Sequence, residues 1–241
     1  MSINLSKFNI YNNSLSDLKN EKIIINTINA HSYNISGSDL LFREALLKSD
    51  VLLPDGISII YALKWLYGYN LKKVAGADLF FYEMNRIQQI GGKCFFLGST
   101  ELILSKITKR IENEYPQIKI KSYSPPYKLE FTKEDNSTML KKINTFQPDV
   151  LFIGMTAPKQ EKWAYQHYSL LDAGHICSIG AVFDFYAGSV KRAPKWMIKI
   201  GLEWFYRLIK EPGRMWKRYL IGNTKFIYYI VKEKIASLQS V

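Results

Sequence analysis

Asp149-Val-Leu-Phe-Ile-Gly-Met-Thr-Ala-Pro-Lys-Gln160 is the stretch that decides the fold. Val150 to Ile153 form an apolar run with no alternation, as expected of a central strand buried on both faces of a parallel sheet. The run stops at Gly154, passes through a polar loop, and gives way to a helical pattern from Pro158 to Leu171. Outward from this unit the same grammar recurs. Strands are predicted at Lys22 to Ile28, Val51 to Leu53, Lys93 to Gly98, Lys119 to Tyr123, Asp149 to Gly154 and His175 to Gly180. Helical patterns lie at Leu40 to Lys48, Gly56 to Tyr67, Ala77 to Gln89, Glu101 to Tyr115 and Thr138 to Thr145. Strands alternating with helices predict an α/β fold: a Rossmann-like, mostly parallel sheet flanked by helices with right-handed crossovers.

Such sheets bind ligands beyond the carboxyl ends of their strands. The loops to search are therefore Asn29-Ala-His-Ser32, Pro54-Asp-Gly56, Gly98-Ser-Thr100, Gly154 to Gln160 and Gly180-Ala-Val-Phe-Asp184.

The chain has 241 residues, 47% hydrophobic and 14% aromatic, which supports a packed core and argues against disorder. Cys94 and Cys177 sit in apolar runs and read as buried free thiols. Two distant cysteines and three scattered histidines give no metal-ligand spacing, so neither a metal nor a cofactor is expected. The lack of a disulfide framework fits a reducing cytoplasm. No signal peptide is read at the polar start, and no run reaches the roughly 18 apolar residues of a membrane span. A soluble or peripheral protein is expected.

The formal net charge is +12, and it is unevenly placed. Residues 191–241 hold twelve Lys and Arg against three Asp and Glu, so nine of the twelve excess charges lie in the tail. Here Ile198, Leu202, Phe205 and Ile209 recur at helical spacing, Pro212-Gly213 interrupts, and Met215, Tyr219, Gly222, Phe226 and Tyr229 continue. Two amphipathic helices joined at a bend are expected. The division is a core over residues 1–193 and a basic helical appendage over 194–241. Arg207, Lys210, Arg214 and Lys217 with Arg218 would make a cationic stripe, and Trp196, Trp204 and Trp216 interleave with it. Basic residues beside interfacial aromatics suit an anionic membrane surface. No helix-turn-helix, zinc-finger or RNP signature supports nucleic acid as the partner.

Several residues could do chemistry. Asp55 follows a strand and precedes a helix, where a carboxylate serves either as an N-cap or as a general base. Thr27, Asn29 and His31 alternate, which on a strand puts them on one face; a bound sugar or the protein itself could satisfy them. Thr156 reads as a cap and Pro158 as a first-turn residue of the next helix. Gln160 can donate and accept, as sugar recognition requires. Gly98-Ser99 ends a strand like a weak nucleotide-binding turn, and Asp184 binds substrate or holds its loop.

Taken together, the segments resemble the WecG/TagA/CpsF family of bacterial glycosyltransferases. Ile25-Asn-Thr-Ile-Asn29, Leu53-Pro-Asp-Gly56, Val74-Ala-Gly-Ala-Asp78, Phe96-Leu-Gly98, Pro148 to Gly154 and Ala157-Pro-Lys-Gln-Glu161 carry the likeness. The most specific stretches are Gly180-Ala-Val-Phe-Asp-Phe-Tyr-Ala-Gly-Ser-Val-Lys-Arg-Ala-Pro194 and Gly201-Leu-Glu-Trp-Phe-Tyr-Arg-Leu-Ile-Lys-Glu-Pro212.

The resemblance implies a metal-independent, inverting hexosyltransferase. It would move N-acetylmannosamine or a related sugar from a UDP-sugar to a sugar on undecaprenyl diphosphate. Family products feed wall teichoic acid, enterobacterial common antigen, capsule or exopolysaccharide, made at the inner face of the plasma membrane. The appendage would help bind that membrane and complete the active site. By motif, Asp55 matches the proposed base, and Thr27, Asn29 and Gln160 match residues around the donor. Arg207 and Arg214 match arginines thought to meet the diphosphate, and Arg218, or Lys217 beside it, matches a third. Lys73 stands where the family usually has Arg, keeping the charge but losing bidentate geometry. The first strand also reads Thr-Ile-Asn-Ala-His where many members have Thr-Pro-Asn-Pro-Glu. Oligomeric state is open, with a homo-oligomer among the possibilities. The rival readings are a non-catalytic membrane or polyanion binder on the same scaffold, and a UDP-sugar hydrolase.

Overall fold

The computed structural model describes residues 5–239; the side chains of Lys195, Lys199 and Arg214 fall outside the described set. Strands β1 (Ile23–Ile28), β2 (Val51–Pro54), β3 (Lys93–Gly98), β4 (Lys119–Tyr123), β5 (Val150–Gly154) and β6 (His175–Ser178) form one sheet. Their order is β2-β1-β6-β5-β3-β4 and every pairing is parallel, as the unbroken apolar runs predict. Aspartates hold two strand starts: Asp50 Oδ2 accepts from the Ile24 N–H and Asp149 Oδ2 from the Lys93 N–H, each at 2.7 Å.

Helices α1 (Ala30–Ser36), α2 (Leu40–Leu47), α3 (Ile57–Tyr67), α4 (Gly76–Ile90), α5 (Glu101–Glu114), α6 (Lys133–Phe146) and α7 (Lys159–His167) connect the strands, and α8 (Val182–Tyr186) follows the last of them. Alternate residues of each strand feed opposite faces. Ile25, Leu53, Phe96, Phe152 and Cys177 pack with α4, α5 and α8. On the other face Ile24, Phe95, Leu97, Leu151 and Ile153 pack with α6 and α7, while Ile28 and Leu52 pack with α1, α2 and α3. Both cysteines are buried and free, and burial pushes both thiols up.

The chain leaves β3 and β5 in opposite directions, which opens a crevice where such folds usually bind ligands. Here the Phe183 ring fills it: a Cβ on Gly154 would overlap that ring.

The tail is more segmented than the sequence suggests. It forms α9 (Lys195–Lys199), α10 (Glu203–Lys210), α11 (Pro212–Trp216), a π-helical turn (Lys217–Ile221) and α12 (Gly222–Gln239). The expected first helix is split because Gly201 adopts φ +79°, a left-handed conformation that ends α9. Pro212 starts α11 rather than only breaking a helix, as its missing N–H permits. The tail is also not a loose addition. Phe226 and Ile230 of α12 are buried with Leu5, Phe8 and Tyr33, and Glu233 accepts hydrogen bonds from the Leu5 N–H and the Tyr67 hydroxyl.

Candidate active site

Asp55 lies just past β2, at the carboxyl end of the sheet. Its N–H donates to the Ile28 carbonyl at 2.9 Å, continuing the β1–β2 ladder by one residue. The N-cap of α3 is Gly56, at φ +108°, with no side-chain cap. The capping alternative for Asp55 is thereby removed, and its carboxylate has no hydrogen-bond partner among the described residues. Burial pushes this carboxyl above the usual aspartate range. Lys73 pulls it back, Glu203 pushes it up, Arg218 pulls it back and Asp78 pushes it up.

These neighbours come from both parts of the chain. The Val74 N–H donates to the Pro54 carbonyl at 3.0 Å, which sets Lys73 beside Asp55. Lys73 reaches Glu203 of α10 at 3.5 Å, and Arg192 Nε donates to the other Glu203 oxygen at 3.1 Å. Burial raises the Glu203 carboxyl, but the hydrogen bond and charge of Arg192, with Lys73, outweigh it and hold the group below its ordinary value. A Cβ on Gly201 would stand 3.1 Å from Ile57 Cγ2, so the tail crosses directly over the start of α3.

Thr27 is partly buried on β1, paired in register with Leu53. Asn29 and His31 do not continue its face, which corrects the alternation reading. The strand ends at Ile28, and Asn29 caps α1, its Oδ1 accepting from the N–H groups of His31 at 3.0 Å and Ser32 at 3.1 Å. The Asn29 Nδ2 has no partner among the described residues. Burial, then Arg218, lower the His31 pKa to about 4, so its imidazole is neutral at pH 7 and Arg218 lies within electrostatic reach of it.

Gln160, 4% exposed, sits on the first turn of α7 and points at the loop after β6; a Cβ on Gly180 would be 3.4 Å from its Oε1. Thr156 is exposed and caps nothing. The N-cap is Pro158, so the expected Thr156 cap and the first-turn place of Pro158 are both corrected; the Thr156 carbonyl instead accepts from Lys159 N–H at 2.9 Å. Gly98-Ser99 is held as a turn, with Ser124 Oγ donating to the Ser99 carbonyl at 2.7 Å. The Asp184 carbonyl accepts from the Ser189 and Val190 amides at 3.0 and 3.2 Å, closing the loop after α8.

The cationic stripe is divided. Arg207 turns inward over the Phe185 ring, 5.5 Å from its centroid, with a buried Nε that has no hydrogen-bond partner among the described residues. Lys210 and Lys217 are exposed, Arg218 is half-buried toward His31, and the Arg214 side chain lies outside the described residues. Glu211, at φ −134° between α10 and α11, breaks the helical phase that would have aligned them. A separate cavity of about 200 Å³, lined by Phe81, Arg110, Phe185, Tyr186 and Arg192 among others, lies beyond the Glu203 bridge and does not include Asp55. Among the described residues no group of three or more His, Cys, Asp or Glu gathers as metal ligands would, and no helix is long and apolar enough to cross a membrane.

The profile described as the Glycosyl transferase WecG/TagA/CpsF family matches residues 3–240, nearly the whole chain. The chain belongs to the WecG/TagA/CpsF family of glycosyltransferases. It is similar to the N-acetylglucosaminyldiphosphoundecaprenol N-acetyl-beta-D-mannosaminyltransferase of Bacillus subtilis, at 31% identity over 88% of this chain and 80% of that protein. The enzyme of the same name from Bacillus spizizenii is 31% identical over 80% of this chain and 73% of its own length. That of Staphylococcus aureus strain MW2 is 28% identical over 88% and 81%.

Within this WecG/TagA/CpsF chain the sequence missed two site features. Arg192 and Glu203 form the link between the core and the tail, and Glu161 is a buried carboxyl beside Gln160. Each falls inside a motif already quoted, but what marks it out is its long-range partner or its burial.

Proposed function

We propose that this protein transfers N-acetylmannosamine, or a closely related sugar, from a UDP-sugar to a sugar carried on undecaprenyl diphosphate, with inversion and without a metal. The observation that carries the reading is Asp55: a partly buried carboxylate, unpartnered among the described residues, flanked by Lys73 of the core and within the field of Arg218 of the tail. Asp55 takes the proton from the acceptor hydroxyl, whose oxygen attacks the anomeric carbon from the side opposite UDP. Thr27, Asn29 through its Nδ2, and Gln160 hold the donor. Lys73, Arg207, Arg214 and Arg218 stabilise the charge growing on the departing diphosphate.

Exposed Trp196, Ile209, Trp216, Ile227 and Tyr228 with Lys210, Lys217 and Lys225 support a peripheral seat for residues 194–241 on an anionic membrane. The acting names of the relatives, all transferases to an undecaprenyl-diphosphate acceptor, support the choice of acceptor.

The test is a donor screen with a short-chain prenyl-diphosphate N-acetylglucosamine acceptor, reading both UDP release and the extended lipid. Transfer from UDP-N-acetylmannosamine upholds the reading. UDP release without lipid product would make the protein a hydrolase, and no turnover with any donor would leave a binder on the same scaffold.

A further inference from the structure

Glu161 is a buried acid with no part in the chemistry above. It follows Gln160 on the first turn of α7 and is 3% exposed. Gln160 Nε2 donates to Glu161 Oε1 at 2.9 Å. That bond fixes the amide plane and leaves Gln160 Oε1, which has no partner among the described residues, beside Gly180 at the carboxyl end of the sheet. Glu161 Oε2 is also buried without a hydrogen-bond partner among the described residues. On the sheet face that α7 covers, Ser178 Oγ and Asn26 Oδ1 are in the same condition. Asn26 and Ser178 stand one residue beyond the paired Ile25 and Cys177, so they are cross-strand neighbours. Glu161 Oε2 therefore meets no donor among the described residues, and a buried carboxyl without donors favours its neutral form over the anion.

Charged groups nearby are occupied elsewhere. Lys162 pairs with Asp39 at 2.9 Å, Arg43 donates to the Ser36 carbonyl, Lys159 lies over the Phe131 ring, and His175 is bound to Glu83 at the far end of β6. Among the described residues no ion pair joins a cation to Glu161, and burial lifts its pKa to about 7.

We infer that Glu161 is a proton-holding positioning residue for the donor subsite: neutral, it fixes the Gln160 amide for an anionic nucleotide-sugar, and ionised, it weakens that binding. A buried negative charge next to the subsite repels a diphosphate, and by linkage the bound donor makes Glu161 hold its proton more tightly. The inference rests on the proposed use of a UDP-sugar donor.

Two measurements on the full chain and Glu161→Gln test it. Glutamine keeps an oxygen for the Gln160 amide but cannot ionise. The first is thermal stability against pH, which needs no ligand. A carboxyl with a folded pKa near 7 against an ordinary 4.5 makes the protein lose stability as pH rises through that window, so the wild type should lose several degrees of Tm relative to Glu161→Gln between pH 5 and 8. The second is the Kd of UDP-N-acetylmannosamine by calorimetry. It should rise about 3- to 10-fold from pH 6 to 8 in the wild type and stay flat in Glu161→Gln. Glu161→Ala, which loses the amide contact, should bind weakly at every pH. Parallel Tm profiles for wild type and Glu161→Gln would overturn the proton-holding role, and parallel Kd profiles the positioning role. A wild type that binds no UDP-sugar at any pH would instead sink the donor reading, and the melting curves would still decide whether Glu161 keeps its proton.

Discussion

Two clusters of buried polar groups sit at opposite ends of one sheet and are built in opposite ways. At the amino end, Glu83 of α4 is fully buried: one oxygen meets His175 Nδ1 at 2.7 Å and the other takes Arg86 at 2.8 Å. His175 Nε2 reaches the Lys19 carbonyl at 2.8 Å, and Arg86 donates to Asn20. All these partners lie within the protein. At the carboxyl end, the buried Gln160 Oε1, Glu161 Oε2 and Arg207 Nε, with the partly buried Asp55 carboxylate, have none among the described residues. A buried polar group left unpaired costs about 1–3 kcal/mol, so a fold tolerates several together only where something else completes them. The closed cluster is a fastening between the N-terminal segment and the sheet. On the proposed function, the open one is completed by a ligand.

Exchanging the unpaired acid should therefore hurt chemistry and spare the fold. Asp55→Asn is expected to lower kcat by about 10²–10⁴-fold, with Tm changed little, because no protein contact depends on the carboxylate. Since burial raises the Asp55 pKa, the acid limb of kcat/KM should lie above the ordinary aspartate range. Activity falls as pH drops through that limb because the base becomes protonated, and in Asp55→Asn the limb should vanish from the residual rate. A fully active Asp55→Asn would break the contrast between the two ends.

Glu83→Ala is the converse. It strips two partners of their acceptor inside the core and should cost about 3–5 kcal/mol, read as a Tm lower by about 10 °C. Below the new Tm, the KM for donor should match wild type. An altered KM with an unchanged Tm would show the basal cluster to be more than a fastening.

How far the sequence reveals these ends depends on the range of the forces involved. The strands were legible because apolar runs such as Val150 to Ile153 state their burial locally. Asp55 was legible because strand, Pro-Asp-Gly and helix are contiguous. α1 is not legible: its seven residues are too short to display a period, and the alternation of Thr27, Asn29 and His31 reads as strand although Asn29 and Ser32 form a capping box. α6 begins at Lys133, five residues before its apolar period starts, because Thr132 and Asp135 cap it. The pairing of Glu83 with His175 spans 92 residues, and Lys73 with Glu203 spans 130. Such partners are set by topology, which no local pattern contains. The divided cationic stripe has the same origin, since Gly201 and Glu211 reset the helical phase.

Asn29 belongs to both designs, and its substitution should give the smallest and most informative effect. Its Oδ1 serves the fold by capping α1, and its Nδ2 has no acceptor among the described residues. Aspartate caps as well as asparagine, so Asn29→Asp should hold stability within about 0.5 kcal/mol. It replaces the amide donor with a second acceptor and adds a negative charge, so the KM for a UDP-sugar should rise several-fold. Asn29→Ala removes both functions and should cost about 1 kcal/mol as well as the KM change. Melting curves and donor KM for the pair separate the two contributions. If Asn29→Asp binds the donor as wild type does, the Nδ2 has no ligand to meet, and Asn29 belongs with Glu83 among the residues that only hold the fold.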